Sequence, residues 1–350
     1  MFELRSQNDF MELLFYISII IISSIVVYWG GALLESTSEI LADHYRLPSV
    51  VKGSIIMAVG SSFPELATVV VSTLIHEKFN LGISAIVGSA IFNILVIPGL
   101  CCVLYGDMKA NKTLVFKDAQ FYLTSIAVIM LMITMAVIYY PLEGEKYIEG
   151  NVSRGLAIMP VLLYGLYIYL QFADTRDHQK KNNDEERRLH ENIKKIWVKL
   201  FFSLVLILIS VEGLVRSALF LGDFFSTPDF FWGITVVAAA TSVPDAVVSI
   251  KAAGKGDGTA GISNVLGSNI FDLLIAIPSG ILIAGSASVN LTIAIPMILF
   301  LTVATIMFFA FLRFNLKLSK KEGIILLSGY LIFIVWMLLE TFEIVSFVLN

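Results

Sequence analysis

Cut at its charged clusters, the chain falls into ten apolar segments, at 12–34, 47–75, 81–105, 119–141, 153–172, 196–221, 228–252, 259–284, 289–312 and 322–348. Each is long enough to cross about 30 Å of hydrocarbon as a helix. The polar stretches between them are short except for 173–195, "ADTRDHQKKNNDEERRLHENIKK". That segment is too short for a domain and reads as a tether between two halves, 12–172 and 196–350. The pattern predicts an all-α membrane protein of ten transmembrane helices. The first apolar stretch runs past twenty residues without a small-residue cleavage site, so it is expected to be a retained span and not a signal peptide.

Composition agrees with the pattern. The 350 residues are 57% hydrophobic and 15% charged, with a mean hydropathy of +0.84, whereas soluble domains carry about a quarter charged residues. The net charge of −4 says less than the placement of the charges. Loops after odd-numbered spans hold 19 of the 24 Lys and Arg; Arg5, Lys78, Lys146, Arg154 and Arg216 fall on the other side. Because basic residues accumulate in the cytoplasm, a multi-pass protein of the cell membrane is expected, with both termini outside and the tether inside. Cys101 and Cys102 are adjacent in an apolar run and read as buried or lipid-facing thiols.

Within the spans, one pattern occurs twice. "GISAIVGSAIFN" at 82–93 aligns with "GISNVLGSNIFD" at 261–272 at an offset of 179, with seven of twelve positions identical. "AVGSSFPE" at 58–65 aligns with "AAATSVPD" at 238–245 at an offset of 180. Shared Gly, Ser and Pro positions do not follow from hydrophobicity alone. Five spans separate the copies, an odd number, so they should cross in opposite directions. The fold class is therefore two inverted five-helix repeats, with repeat cores near 53–105 and 233–284. Transporters of this plan hold their ions near the midplane, where the repeats meet.

The spacing also carries chemistry. Residues three and four apart share a helix face, which groups Ser61, Ser62 and Glu65, and likewise Thr241, Ser242 and Asp245. Ser89 stacks with Asn93, and Ser268 with Asp272. Pro64 and Pro244 each lack an N–H and crowd the carbonyl four residues earlier, so kinks near Gly60 and Ala240 should free backbone oxygens. The result is an all-oxygen, carboxylate-bearing set without sulfur or imidazole, suited to hard cations such as Ca²⁺. The four histidines, His44, His76, His178 and His190, fall in loops or at span ends, which disfavours a histidine proton relay. Single serines in membrane helices usually bond back to their own backbone; it is the recurrence in register with acids and prolines that points to an ion site. Glu212 and Arg216, i and i+4 in span six, read as a local salt bridge. Gly82, Gly88, Gly261 and Gly267 read as close helix contacts, and Pro98 and Pro278 as kinks.

These motifs resemble those of the Ca²⁺:cation antiporter superfamily, specifically its Na⁺/Ca²⁺ exchangers. The carriers are "GSSFPELAT" with "GSAIFNIL", and "ATSVPDAVVS" with "GSNIFDLL". The resemblance implies Glu65 and Asp245 as central Ca²⁺ ligands, with Asn93 and Asp272 completing the middle site. It implies Ser61, Ser62, Ser89, Thr241, Ser242 and Ser268, with the carbonyls of Ala58 and Ala238, as flanking Na⁺ ligands. It also implies that spans one and six are mobile arms over a rigid core. Two departures appear, Ala240 in place of a glycine and Asp245 in place of a glutamate; the shorter acid resembles the K⁺-dependent branch, as does "IVGSAIFNIL", and the motif alone leaves K⁺ dependence open.

The expected activity is antiport of Na⁺ against Ca²⁺ by a chain that suffices as a monomer. It needs the bilayer and its ions, without nucleic acid or a resident cofactor. Three ionised carboxylates carry −3, which three Na⁺ would neutralise and one Ca²⁺ would not; loading both cargoes together meets severe like-charge repulsion. H⁺/Ca²⁺ exchange on the same fold is the near rival, but the hydroxyls beside the acids suit dehydrated Na⁺ better. An intramembrane hydrolase would have no use for the repeat, and deep enclosure of an ion suits carriage better than rapid conduction.

Overall fold

The computed structural model describes residues 7–45, 58–112, 114–142, 148–178, 193–342 and 344. Helix α1 is Gln7–His44, α2 Ala58–Leu74, α3 Phe79–Tyr105, α4 Leu114–Tyr139, α5 Arg154–His178 and α6 Ile193–Phe225. A broken helix follows, α7a Asp229–Thr241 and α7b Val243–Gly254, then α8 Gly258–Ala284, α9 Leu291–Asn315 and α10 Lys320–Thr341. Among the described residues eight helices are long and apolar enough to cross a membrane, or nine if the broken pair is one span. The second expected span is described only from Ala58 on, and most of the tether, 179–192, lies outside the described residues.

Helix α1 extends ten residues past the expected boundary at 34. Leu34, Thr37, Leu41 and Ala42 are buried along one stripe, so the face continues although Glu35 and Glu39 interrupt the apolar run. Thr37 also returns its hydroxyl to the Leu33 carbonyl at 2.7 Å. The two signature prolines behave differently from the expectation of matched kinks. Pro64 sits inside a continuous helix, whereas Pro244 follows a 45° break at Ser242. Helix α7a also contains a π-helical turn, Gly233–Val237, and α8 another, Asp272–Ala276. The second falls where Pro278, lacking an N–H, cannot bond the carbonyl of Leu274.

The core centres on α3, 83% of whose most apolar window is buried, and on α8, with 72%; α1 has 11%. Around them α4, α9 and α10 pack through Tyr122, Ile129, Phe308 and Phe333. A second cluster joins Val27 and Leu34 of α1 to Ile207, Val211 and Leu214 of α6 and Ala67 and Val71 of α2. Leu81 and Ala85 of α3 and Val237 and Ala240 of α7a belong to the same cluster, so α1 and α6 pack together on α2, α3 and α7a. Cys101 and Cys102 are buried free thiols in α3.

Short contacts tie the loops, including two antiparallel ribbons that the hydropathy pattern does not foretell. Met108–Lys109 (β1) pairs with Lys317–Leu318 (β4), and Glu149–Ser153 (β2) with Ser286–Asn290 (β3). Beside the first ribbon Lys317 bonds Asp107 at 2.8 Å and Thr259 reaches the Lys109 carbonyl at 3.2 Å; the Lys317 ammonium holds the Asp107 carboxyl below its usual range. Elsewhere Lys78 bonds Asp229 at 2.7 Å, and Arg154 reaches the Leu282 carbonyl at 2.8 Å. Arg216 bonds Glu212, as expected, and Glu212 also takes His76 at 2.9 Å.

Candidate functional site

The two signature segments meet at the centre of the fold. Ser61, Ser62 and Glu65 come from α2, Ser89 and Asn93 from α3, Thr241 from α7a, Asp245 from α7b, Ser268 and Asp272 from α8, with Ser242 at the break. All ten are at most 4% exposed.

Hydrogen bonds cross between the halves. Ser268 donates to Asp245 Oδ2 at 2.5 Å. Its proton is thereby committed, so Ser62, 2.5 Å away, is the donor to Ser268 Oγ. Ser242 lies 2.8 Å from Ser89 Oγ, and Ser89 reaches Glu65 Oε1 at 3.4 Å. Asn93 Nδ2 donates to Asp245 Oδ2 at 3.1 Å and to Asn269 Oδ1 at 3.0 Å.

What this network leaves over is one-sided. Glu65 Oε2, Asn93 Oδ1, Asp245 Oδ1 and both oxygens of Asp272 are buried and accept no hydrogen bond among the described residues. A buried acceptor without a partner costs about 1–3 kcal/mol, and every one of these five is an oxygen acceptor. Such a set is complementary to a hard cation. Among the described residues no three Asp, Glu, His or Cys side chains already form a metal-holding group, so the acids do not stand as a closed coordination shell.

The remaining expected positions are less open. Thr241 returns its hydroxyl to the carbonyls of Val237 at 3.1 Å and Ala238 at 3.3 Å, leaving only lone pairs to offer. The Ala238 carbonyl also accepts the Ser242 N–H at 3.1 Å and lies 2.8 Å from its hydroxyl. Ala58 is the first described residue of α2.

Glycines set the close approaches around the site. A Cβ on Gly88 would lie 2.8 Å from Ala238 Cβ, on Gly82 3.1 Å from Val69 Cα, and on Gly261 3.0 Å from the Ser249 carbonyl. Gly267 departs from the expectation: nothing lies within 4 Å of its Cβ position. On α1, a Cβ at Gly31 would meet Pro244 Cγ at 3.0 Å, and a Cβ at Gly60 would meet Glu35 Cα at 3.4 Å. Helix α1 thus rests on both signature segments.

Sequence reading missed Asn269, Tyr122 and Glu35. Asn269 was visible as one of the two positions, with Asp272, where "GSNIFD" departs from "GSAIFN". Tyr122 carries no local signal, since an aromatic in an apolar span reads as core. Glu35 was placed just outside the first span. The string Gly-Lys-Gly-Asp at 254–257 has the Gly-x-Gly-Asp form of intramembrane hydrolases, but Asp257 is exposed and caps α8 through the Ala260 N–H at 2.9 Å.

Comparison with known proteins converges on one group. The family model described as "Sodium/calcium exchanger protein" matches residues 15–173 and 195–339. An uncharacterized membrane protein of Methanocaldococcus jannaschii is 29% identical over 88% of this chain and 93% of its own. The human sodium/potassium/calcium exchanger 5 is 27% identical over 89% and 82%. Among solved structures, the sodium-calcium exchanger NCX_Mj, soaked with Na⁺ and Sr²⁺, shares the fold with a TM-score of 0.60 at 22% identity, covering 92% of this chain and 98% of that one. The H⁺/Ca²⁺ exchanger CAX shares it with a TM-score of 0.66 at 16% identity, over 96% and 95%.

Proposed function

The chain belongs to the sodium/calcium exchanger protein family, and we propose that it is a secondary active antiporter in which Na⁺ moving down its gradient drives Ca²⁺ the other way. One midplane site, open alternately to each side, would serve both ions. The observation that carries this reading is the set of five buried acceptor oxygens on Glu65, Asn93, Asp245 and Asp272, drawn from both halves. Glu65 and Asp245 are the central Ca²⁺ ligands, with Asn93 and Asp272 beside them. Ser61, Ser62, Ser89, Thr241, Ser242 and Ser268, with the carbonyls of Ala58 and Ala238, serve Na⁺. Their neutral oxygens suit a monovalent ion that is cheaper to dehydrate.

Ten crossings in two inverted repeats of five fit the loop contacts. The β1–β4 ribbon, Lys317 with Asp107 and Thr259 with Lys109 all join loops that follow odd-numbered spans. The β2–β3 ribbon, Lys78 with Asp229, His76 with Glu212 and Arg154 with Leu282 all join positions on the other side. This parity supports alternation of all ten spans, and the basic-residue bias supports termini outside and the tether in the cytoplasm. A monomer contains the whole site. Spans one and six, α1 and α6, pack against each other in one cluster over α2, α3 and α7a, an arrangement that suits a sliding arm.

H⁺/Ca²⁺ exchange is the second reading, favoured by the fold likeness to CAX. Ca²⁺ uptake into proteoliposomes preloaded with Na⁺, set against K⁺-loaded vesicles and a pH gradient, separates the two. Na⁺ loading alone should drive uptake, and Glu65→Gln or Asp245→Asn should lower it more than a hundredfold while the protein stays monodisperse. Uptake driven by the pH gradient alone would establish the second reading. Near-normal uptake by either variant would remove the site assignment.

A further inference from the structure

Asn269 is fully buried beside the site but occupies none of the ligand positions. Its amide group donates to the Ala90 carbonyl at 3.2 Å and to Tyr122 Oη at 3.0 Å. A backbone carbonyl can only accept, so the Asn269 NH₂ must face Ala90 and its oxygen must face the other way. That oxygen lies 3.0 Å from Asn93 Nδ2. The orientation of the first amide therefore dictates that of the second. With its NH₂ held between Asn269 Oδ1 and Asp245 Oδ2, Asn93 has only its own Oδ1 left, buried and without a hydrogen-bond partner. A flipped Asn93 would set oxygen against oxygen at two contacts of about 3 Å and turn its donors toward the ion.

The two repeats explain why the device exists once. At the offset of 179, Asn269 corresponds to Ala90 and Asn93 to Asp272. A carboxylate offers equivalent oxygens whichever way it turns, so Asp272 needs nothing to orient it, and the corresponding position holds alanine. A carboxamide has a wrong face.

We infer that Asn269, anchored on the Ala90 carbonyl and the Tyr122 hydroxyl, is a positioning residue that turns the Asn93 carboxamide oxygen toward the transported cation. The inference rests on the reading of Asn93 as an ion ligand. It acts on affinity and not on the gating motion.

The test is a double-mutant cycle on the full chain in proteoliposomes, reading the Ca²⁺ half-saturation and the maximal rate of Na⁺-driven uptake. Asn269→Ala should raise the half-saturation about tenfold with the maximal rate preserved. Asn93→Ala should do the same, and the double variant should be no worse than Asn93→Ala alone. Tyr122→Phe, which preserves volume, should give a smaller shift that also vanishes in the Asn93→Ala background. Additive losses, or a normal half-saturation in Asn269→Ala while Asn93→Ala is impaired, would overturn the positioning role and leave the site reading standing. A normal half-saturation in Asn93→Ala would instead remove Asn93 from the site, and the inference with it.

Discussion

Ser62 and Ser268, from opposite halves of the chain, share a hydrogen bond of 2.5 Å. The repeat offsets turn that pair into Ser242 and Ser89, and those two lie 2.8 Å apart. The same exchange carries Ser268 with Asp245, at 2.5 Å, onto Ser89 with Glu65, at 3.4 Å. Bonds that map onto one another in this way are what two related halves packed about an approximate two-fold axis would make. The bonds on the Glu65 side are the longer of each pair.

The serine pairs therefore predict matched phenotypes. Each hydroxyl reaches one acid of the site through one neighbouring serine, Asp245 for Ser62 and Glu65 for Ser242, and carries no charge of its own. Ser62→Ala and Ser242→Ala should each raise the Na⁺ half-saturation about three- to tenfold, the size of one lost hydrogen bond. The Ca²⁺ half-saturation should move less. Measuring both constants in proteoliposomes checks the division; a shift confined to Ca²⁺ would contradict it.

Equivalent glycines should behave differently. Gly88 and Gly267 share a repeat position, but only Gly88 faces a helix, where an added Cβ falls 2.8 Å from both Ala238 Cβ and the Ile234 carbonyl carbon. Gly88→Ala should cost about 1–3 kcal/mol by overpacking. Gly267→Ala should be neutral or slightly stabilising, since alanine is the better helix former. Thermal unfolding of the two variants in one detergent gives the comparison.

How much of this was legible beforehand depends on what each feature rests on. Helix positions followed from apolar runs, because every backbone group in hydrocarbon must be bonded within its own segment. The residues around the site were legible because carboxylates and hydroxyls are conspicuous among Val, Ile and Leu. The unequal prolines were not. Whether a helix absorbs a missing N–H, as at Pro64, or breaks, as before Pro244, depends on neighbours that local spacing cannot name. The orienting role of Asn269 was hidden for a similar reason: its partner Tyr122 is distant in sequence and looks like core. The continuation of α1 to His44 depended on a buried stripe through Thr37 that two glutamates obscure.

The contact between α1 and the broken helix predicts a transport defect without a folding defect. Gly31 lets α1 lie against Pro244, and its Cβ position is tight but not impossible, at 3.0 and 3.2 Å from the proline ring. Gly31→Leu should hold the arm off the site and slow exchange at least about tenfold, with protein yield and monodispersity retained. Gly165→Leu on α5, where nothing lies within 4 Å, is the control. Equal rates in the two variants would mean that α1 need not seat on Pro244 during exchange.

The last prediction concerns potassium. The human relative bears that ion in its name, and at Asn93's repeat position the second half has Asp272. Charge favours a third ion at first sight: three ionised acids with one Ca²⁺ leave −1, and a K⁺ would bring the site to neutral. Oxygen supply argues the other way. Ca²⁺ takes about six to eight oxygens, and the five unpartnered buried acceptors of the site are already too few for it. The hydroxyls of Ser62, Ser89 and Ser268 donate within the network and keep lone pairs, so a Ca²⁺ short of ligands draws on these oxygens before a second, larger cation can. A single proton offsets the same charge without any cavity. Na⁺-driven Ca²⁺ uptake should therefore persist within about twofold when K⁺ is replaced by choline on both sides of the vesicle membrane. Asp272→Asn should weaken Ca²⁺ transport equally with and without K⁺. Collapse of uptake in choline, with the requirement abolished by Asp272→Asn, would make the protein a K⁺-dependent exchanger and assign the K⁺ to Asp272.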